Sequence, residues 1–584
     1  MLVLQRSNRV NCLMAAQLRC GGLLLLAVLS AVAQSLPAKT QGSLVPVPGK
    51  FVDATQKLGV HFVQKASPTS KKYLLETMGS GVALFDYDND GRLDIFFANG
   101  ARIDDPMDVG ATPQKDGPQY WNRLYHQKPD GTFEDVTEKA GLAGVGYSTG
   151  VAVGDYDNDG YDDLFVAGYG HNTLYHNNGD GTFTDVTESA GVGGSGWSTS
   201  AAWVDYDNDG LLDLIVLRYL DWDFQDIPCG LHGDKEGPRG YCAPSLFKPV
   251  LPLVYHNEGN GKFKEVAQKA GMVPGKGLGV AVADYDRDGL IDIIVANDSI
   301  PEYLYHNRGD GTFEEVGSAA GVALSDSGNP LSGMGVDFED YNNDGWPDIV
   351  ITDLAGQQYA LDTNARNGTF EDSVTTAGIG PMTVKHSGWG VHFFDYDNDG
   401  WKDLFIAQSH VMDTIEFDHP DLRYRESPLL ARNEQGKRFV DVSAQSGDVF
   451  QQRWVARGLA IGDLNNDGKV DVVVTSNNGP AWVLMNETPT SNHWITLKLT
   501  GVKSNRDGIG AQVKITTAAG EQYATVSAAG SYQSSSDSRV HFGLGSETGV
   551  RMIEIRWPSG IVQTLSAVKA DQIMNVKEAV PAKK

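Results

Sequence analysis

Apolar residues in this chain fall in short alternating runs that recur along its length, without helical spacing. Gly279-Val-Ala-Val-Ala283 leads through a polar stretch into Asp292-Ile-Ile-Val295, and Asp471-Val-Val-Val474 follows the same plan. Short apolar runs bounded by turn residues predict buried β-strands. A second element comes after: Leu174-Tyr-His-Asn177, then Asp180-Gly-Thr-Phe183, Asp185-Val-Thr187 and Ala190-Gly191, with the same order from Leu304 to Gly321. Asp-Gly between such runs is a two-residue hairpin signal. Each unit thus holds about four short strands, the content of one propeller blade.

The polar stretch between the first two strands is itself the strongest repeat. D-x-[DN]-x-D-G-x-x-D begins at Asp86, Asp155, Asp205, Asp284, Asp340, Asp395 and Asp463, and all seven copies keep Gly sixth and Asp ninth. A hard cation needs six to eight oxygens on a backbone that curls around it, and positions 1, 3, 5 and 9 offer carboxylates. The predicted metal ligands are Asp86, Asp88, Asp90 and Asp94; Asp155, Asp157, Asp159 and Asp163; Asp205, Asp207, Asp209 and Asp213. They continue with Asp284, Asp286, Asp288 and Asp292; Asp340, Asn342, Asp344 and Asp348; Asp395, Asp397, Asp399 and Asp403; Asp463, Asn465, Asp467 and Asp471. In the first loop Gly91 permits the turn and the Arg92 carbonyl is the expected backbone ligand. The loops with Asn342 and Asn465 carry one charge fewer and should bind more weakly. Oxygen-only cages suit Ca2+, about seven ions at one per blade, whereas Mg2+ keeps its waters. An EF-hand would need Glu at position 12, where this chain has Phe97, Val166, Val216, Val295, Ile351, Ile406 and Val474.

Charge supports this reading. The chain carries a formal net charge of −28, yet positions 1, 3, 5 and 9 of the loops hold 26 of its 75 acidic residues, leaving 49 against 47 Lys and Arg. Outside the loops it is nearly neutral, and clustered carboxylates repel unless a cation compensates them. An acidic chain without a basic run makes nucleic acid an improbable partner.

The ends of the repeat predict how the ring closes. Phe51-Val-Asp53 copies the segment that ends a unit, while the seventh unit stops after Val483-Leu-Met-Asn486. The N-terminal strand should complete the last blade and remove the open sheet edges. The expected fold is all-β: a seven-bladed β-propeller over residues 51–489, then a small, separate β-domain over 490–580, where alternation takes over at Trp494-Ile-Thr-Leu-Lys-Leu499. Ahead of them, residues 1–33 predict a cleaved secretory signal and 34–50 a linker. Arg6, Arg9 and Arg19 precede an apolar run, Leu23 to Val32, that is too short to span a bilayer. Cys12 and Cys20 leave with the signal, and Cys229 and Cys242 are expected to close a disulfide in an oxidising compartment.

These repeats resemble the VCBS/FG-GAP repeats of integrin-α-type propellers. Asn505-Arg-Asp-Gly-Ile-Gly-Ala511, Ser531-Tyr-Gln-Ser534, His541-Phe-Gly-Leu-Gly545 and Trp557-Pro-Ser-Gly560 resemble the ASPIC/UnbV domain. Together they are similar to the cartilage acidic protein family over roughly residues 51–580. The resemblance implies a secreted calcium-binding protein without established catalysis; it does not imply integrin recognition.

Other residues admit bland and sharp readings. His126, His176, His256 and His306 recur at one position of successive units and read as architecture. His386, His392, His410 and His419, near Asp413, Glu416, Asp418 and Asp421, read as a solvated acidic rim, with a transition-metal or catalytic site as the alternative. No nucleophile elbow and no phosphate loop is present, so an enzyme reading rests on fold analogy. The expected function is a non-catalytic, monomeric, secreted interaction protein of matrix or cell surface. Loops at 102–119 and 229–242 would present a surface to an extracellular protein or glycan. The alternative is a lectin or carbohydrate-active enzyme using the propeller channel or rim, motivated by Trp121, Trp197, Trp222, Trp389 and Trp454.

Overall fold

The computed structural model describes residues 49–230 and 239–579. The predicted signal with Cys12 and Cys20, and the linker up to residue 48, lie outside the described residues. Seven four-stranded antiparallel sheets follow one another along the chain. Their innermost strands are Val82–Phe85, Tyr147–Gly154, Ser198–Val204, Gly277–Ala283, Val336–Glu339, Gly388–Phe394 and Ala456–Gly462. Each innermost strand packs against the next, and the seventh packs back against the first, so the sheets form a ring. We number them blades one to seven in that order. The last sheet is completed from the N-terminus, Phe51 pairing with Asn486, Val52 with Met485 and Asp53 with Leu484.

Apolar side chains on both faces of each sheet fill the spaces between blades, which is why the strands read as continuous apolar runs instead of one-sided alternation. Ala83, Phe85 and Phe96 meet Val151, Val153 and Leu164 between blades one and two; Phe51 and Phe450 meet Phe405 and Leu459 between six and seven.

Polar ties follow the same circuit. The last residue of each third strand is a buried amide: Gln127, Asn177, Asn257, Asn307, Asn364, Asn433 or Asn486. Each donates to the backbone carbonyl after the first loop Asp of a preceding blade, Asn177 to Tyr87 at 2.8 Å and Asn486 to Tyr396 at 2.9 Å, while Gln127 reaches Leu464 of blade seven at 2.8 Å. A buried amide left without these carbonyls would be costly, so the ties fix the spacing of the blades all the way round.

The C-terminal strands build two further sheets. His493–Thr500 lies between Val540–Gly545 and Gln572–Lys577, and Gln512–Thr516 lies between Glu521–Thr525 and Gly549–Arg556, with Val562–Lys569 at the edge. Ile495, Leu497, Val513, Ile553 and Trp557 form their common core. These sheets and the blades belong to one compact unit, Pro46–Lys584.

Candidate functional site

Each acidic loop joins the end of an innermost strand to the start of the second, so all seven open at the same end of the ring. The loop folds on its own carboxylates. Asp86 accepts the amides of Asp90 (2.9 Å) and Gly91 (3.0 Å), and Asp90 accepts that of Arg92 (3.0 Å). The pattern recurs in the other copies, as at Asp155 with Asp159 and Gly160. Gly91 sits at φ 87°, in the left-handed region that Gly tolerates. Position four is left-handed as well, at Asn89, Asn158, Asn208, Arg287, Asn343, Asn398 and Asn466.

Those asparagines are functional residues that the repeat pattern left as unspecified positions. The Asn89 amide donates to the Gly160 carbonyl of the next loop at 2.8 Å, Asn158 to Gly210 at 2.9 Å, Asn208 to Gly289 at 3.3 Å, Asn343 to Gly400 at 2.8 Å, Asn398 to Gly468 at 2.8 Å and Asn466 to Gly91 at 2.9 Å. The fourth loop has Arg287 instead, whose guanidinium stacks over Trp346 of the fifth. The loops are therefore linked in series, each to its neighbour.

The donor set fits a hard cation. Carboxylate oxygens of Asp86, Asp88 and Asp90 lie within 4.8 Å of one another, as do the ligand atoms of Asp88, Asp94 and His126. Asp88 Oδ1 is buried without a hydrogen-bond partner. Burial pushes Asp94 up to about 6 and Asp163 up to about 7. Burial followed by repulsion from neighbouring carboxylates brings Asp205 to about 7 and Asp155 to about 8. Ionising these groups together in a dry loop is unfavourable, and a divalent ion bound among them would reverse that balance.

The repeated histidines stand beside these carboxylates. His126 Nδ1 is 3.1 Å from Asp94 and 3.6 Å from Asp88, and His176, His256 and His306 repeat the arrangement. In blade six the equivalent residue is Arg432, 3.1 Å from Asp397 and 2.5 Å from Asp399. That loop has a cation of its own.

The non-repeated histidines go to different partners. His386 pairs with Glu426 at 2.5 Å, His410 accepts the Met412 amide at 3.0 Å, and His419 follows the short helix Ile415–Asp418. His392 is buried between Asp337 (3.2 Å) and Ser536 (2.9 Å). This has the order of a Ser–His–Asp relay, but the amides that would hold an oxyanion are already taken: Ser536 N by Ala528 O and Asp537 N by Ile461 O. Ser536 Oγ also accepts the Ile461 amide at 3.1 Å. The trio ties the C-terminal chain to blades five, six and seven.

That tie belongs to a larger insertion, because the segment Gly530 to Asp537 fills the centre of the ring. Innermost strands are sheet edges, and their free amides point into the hole. Ser531 O accepts Val336 N (3.1 Å), Gln533 O accepts Val151 N (3.1 Å) and Ser535 O accepts Leu84 N (3.0 Å). The Ser531, Ser534 and Ser535 hydroxyls accept Val391 N, Val82 N and Val153 N, and Ser200 Oγ accepts Gln533 N at 3.0 Å. Tyr532 is fully buried, donates to Met78 O at 3.0 Å and meets Trp389 edge-on at 4.9 Å. A Cβ at Gly81 would lie 1.6 Å from Gln533 O, so the approach requires glycine there. The C-terminal segment, expected from its sequence pattern as a separate domain, thus reaches through the loop end of the ring, and the channel proposed as a sugar site is occupied by the chain itself.

Of the tryptophans proposed to stack on sugars, Trp197, Trp389 and Trp454 are buried, Trp222 packs among Tyr73, Tyr169 and Phe224, and Trp121 is covered by Arg123. The Cys229–Cys242 disulfide is formed. No helix among the described residues is long and apolar enough to cross a membrane.

Comparison with known proteins agrees with the repeat and the tail. Residues 86–166, 155–216, 252–295, 286–351 and 340–406 match the FG-GAP-like repeat, and residues 501–583 match the ASPIC and UnbV family. Cartilage acidic protein 1 of Mus musculus is 25% identical over 516 residues, covering 85% of this chain and 64% of the mouse protein. Its Homo sapiens counterpart is 24% identical over 322 residues, covering 53% of this chain and 37% of the human one. The chain therefore spans less than two thirds of these relatives. Among solved structures, an Agrocybe aegerita lectin studied for recognition of non-reducing terminal N-acetylglucosamine is 16% identical, covering 70% of this chain and 95% of the lectin, with a TM-score of 0.36.

Proposed function

The chain belongs to the family that joins FG-GAP-like repeats to an ASPIC and UnbV segment, and from that premise we propose that it is a secreted, calcium-binding interaction protein. Calcium, taken by the loop carboxylates with about one ion per blade, would supply the positive charge that lets buried carboxylates ionise. Its role would be structural: the Asn-to-Gly links pass each loop's rigidity to the next. The observation that carries this reading is the convergence of Asp86, Asp88 and Asp90, with Asp88 Oδ1 buried and unpartnered. The Cys229–Cys242 disulfide fits an oxidising, extracellular or periplasmic setting, and the apolar run before Ala33 fits export.

With the centre of the ring filled by Gly530 to Asp537, a macromolecular partner would be met by exposed loops, and that partner class is an extracellular protein or glycan bound without catalysis. Native mass spectrometry of the mature protein, with calcium and after chelation, tests the metal reading. About seven bound ions and a lowered melting midpoint on chelation are expected; an ion-free protein whose stability ignores chelator overturns it. A glycan array and a polysaccharide-release assay test the second half, since product release would establish an enzyme.

A further inference from the structure

The loops open at one end of the ring; at the other end is a cavity of about 680 Å³. It is lined by residues at or just before the start of innermost strands, such as Trp389 and Met334, and by residues that follow second strands, such as Tyr219, Asp298 and His410. The segment around the Cys229–Cys242 disulfide adds Tyr241 to its wall. Aromatic and aliphatic walls with few polar groups are the make-up of a small-molecule site.

Apart from His410, the titratable groups at its wall and just behind it are carboxyls, each held above its ordinary value by burial. Asp298 is almost fully buried and accepts hydroxyls from Tyr219 and from Ser299 (2.7 Å). Behind it, Asp353 and Glu302 are also buried, and Asp353 Oδ2 and Glu302 Oε1 have no hydrogen-bond partner. Among the described residues none of the three carboxyls forms an ion pair. The neighbouring Lys276 is turned to the Pro244 carbonyl at 2.9 Å. Arg457 is stacked on Trp389 and held by Thr77, Ser409 and Ala456, and it does not line the cavity. Burial, aided by the Arg457 charge, holds His410 down to about 4, so it faces the cavity as a neutral ring. Buried carboxylates are ordinarily paired, and a carboxylate among Trp and Tyr rings is the environment that selects organic cations.

We propose that this cavity binds a small organic cation, with its ammonium set against Asp298 and its apolar body against Trp389, Leu278 and Met334. The site goes beyond the calcium reading, since the acidic loops lie at the opposite strand ends. The test is saturation-transfer NMR on the full mature chain in calcium. The probes are benzyltrimethylammonium and phenethylamine, with 2-phenylethanol and 3-phenylpropionate as uncharged and anionic controls. Both amines should bind and both controls should be at least about tenfold weaker. Asp298→Asn should remove that preference at an unchanged melting midpoint. Met412→Trp, at a partly exposed wall position, should weaken every probe without unfolding the chain. Absence of amine binding, equal binding of the uncharged control, or a preference that survives Asp298→Asn in a folded variant overturns the proposal.

Discussion

Chelating the protein at successive pH values probes the acidic loops directly, because without metal their carboxylates are held above the ordinary value. Raising Asp94 from 3.8 to about 6 corresponds to about 3 kcal/mol of resistance to ionisation. Half of that at one carboxyl per loop, about 1.5 kcal/mol, amounts over seven loops to about 10 kcal/mol. That matches the whole stability of an ordinary domain, about 5–15 kcal/mol. A group whose pKa is higher folded than unfolded contributes stability that is complete below the unfolded value and lost as pH rises through the folded one. The chelated protein should therefore lose stability between about pH 5 and pH 8, the window set by Asp94, Asp163 and Asp155. His176, raised to about 9 chiefly by its hydrogen bond to Asp163, acts in the same direction. With calcium the trend should reverse, since metal competes with protons for the same oxygens, and each site held at 100 times its Kd adds about 2.7 kcal/mol. Circular-dichroism melts at pH 5, 6, 7 and 8, in chelator and in calcium, measure both trends. A chelated midpoint that stays level or climbs with pH refutes the account of the loops.

Tyr532→Ala should cost about 3–5 kcal/mol in urea unfolding, because it empties the centre of the ring and strands the Met78 carbonyl. Arg432→Thr should tighten terbium binding at the sixth loop by about tenfold or more, read as luminescence sensitised by Trp401 in a Trp346→Phe background, since it removes the guanidinium from Asp397 and Asp399. Cys229→Ser should lower stability by up to about 3 kcal/mol in oxidising buffer, given a sequence separation of 13; an equal loss in wild type under reductant would confirm the cause.

The strands, the seven loops and the closure by Phe51 were legible in the sequence because each is written locally, in alternation, in Asp and Gly spacing, and in a displaced copy of the repeat. The disulfide was legible from proximity. The filled channel was not. Gly530 to Asp537 is small and polar and reads as an ordinary loop, and its partners, such as Val82 and Val391, lie 140 or more residues away. Its meaning comes from the shape of the hole it enters. The fourth loop residue differs: six copies share an Asn there, but a neutral amide has no place in a pattern of carboxylate ligands, and its partner is the carbonyl of a neighbouring loop. The cavity was invisible because its walls are strand ends from several blades, none with a motif of its own.

The central segment also sets an order of events during biosynthesis. A chain made from its N-terminus completes all seven sheets, apart from their shared centre, before residues 530–537 emerge. Until then the inward amides of blades one, two, five, six and seven face solvent, and nascent blades have an unprotected inner rim. A stretch made only after all seven blades is thus the one that five of their innermost strands await, so a chain cut before Gly530 should yield an assembly-prone ring.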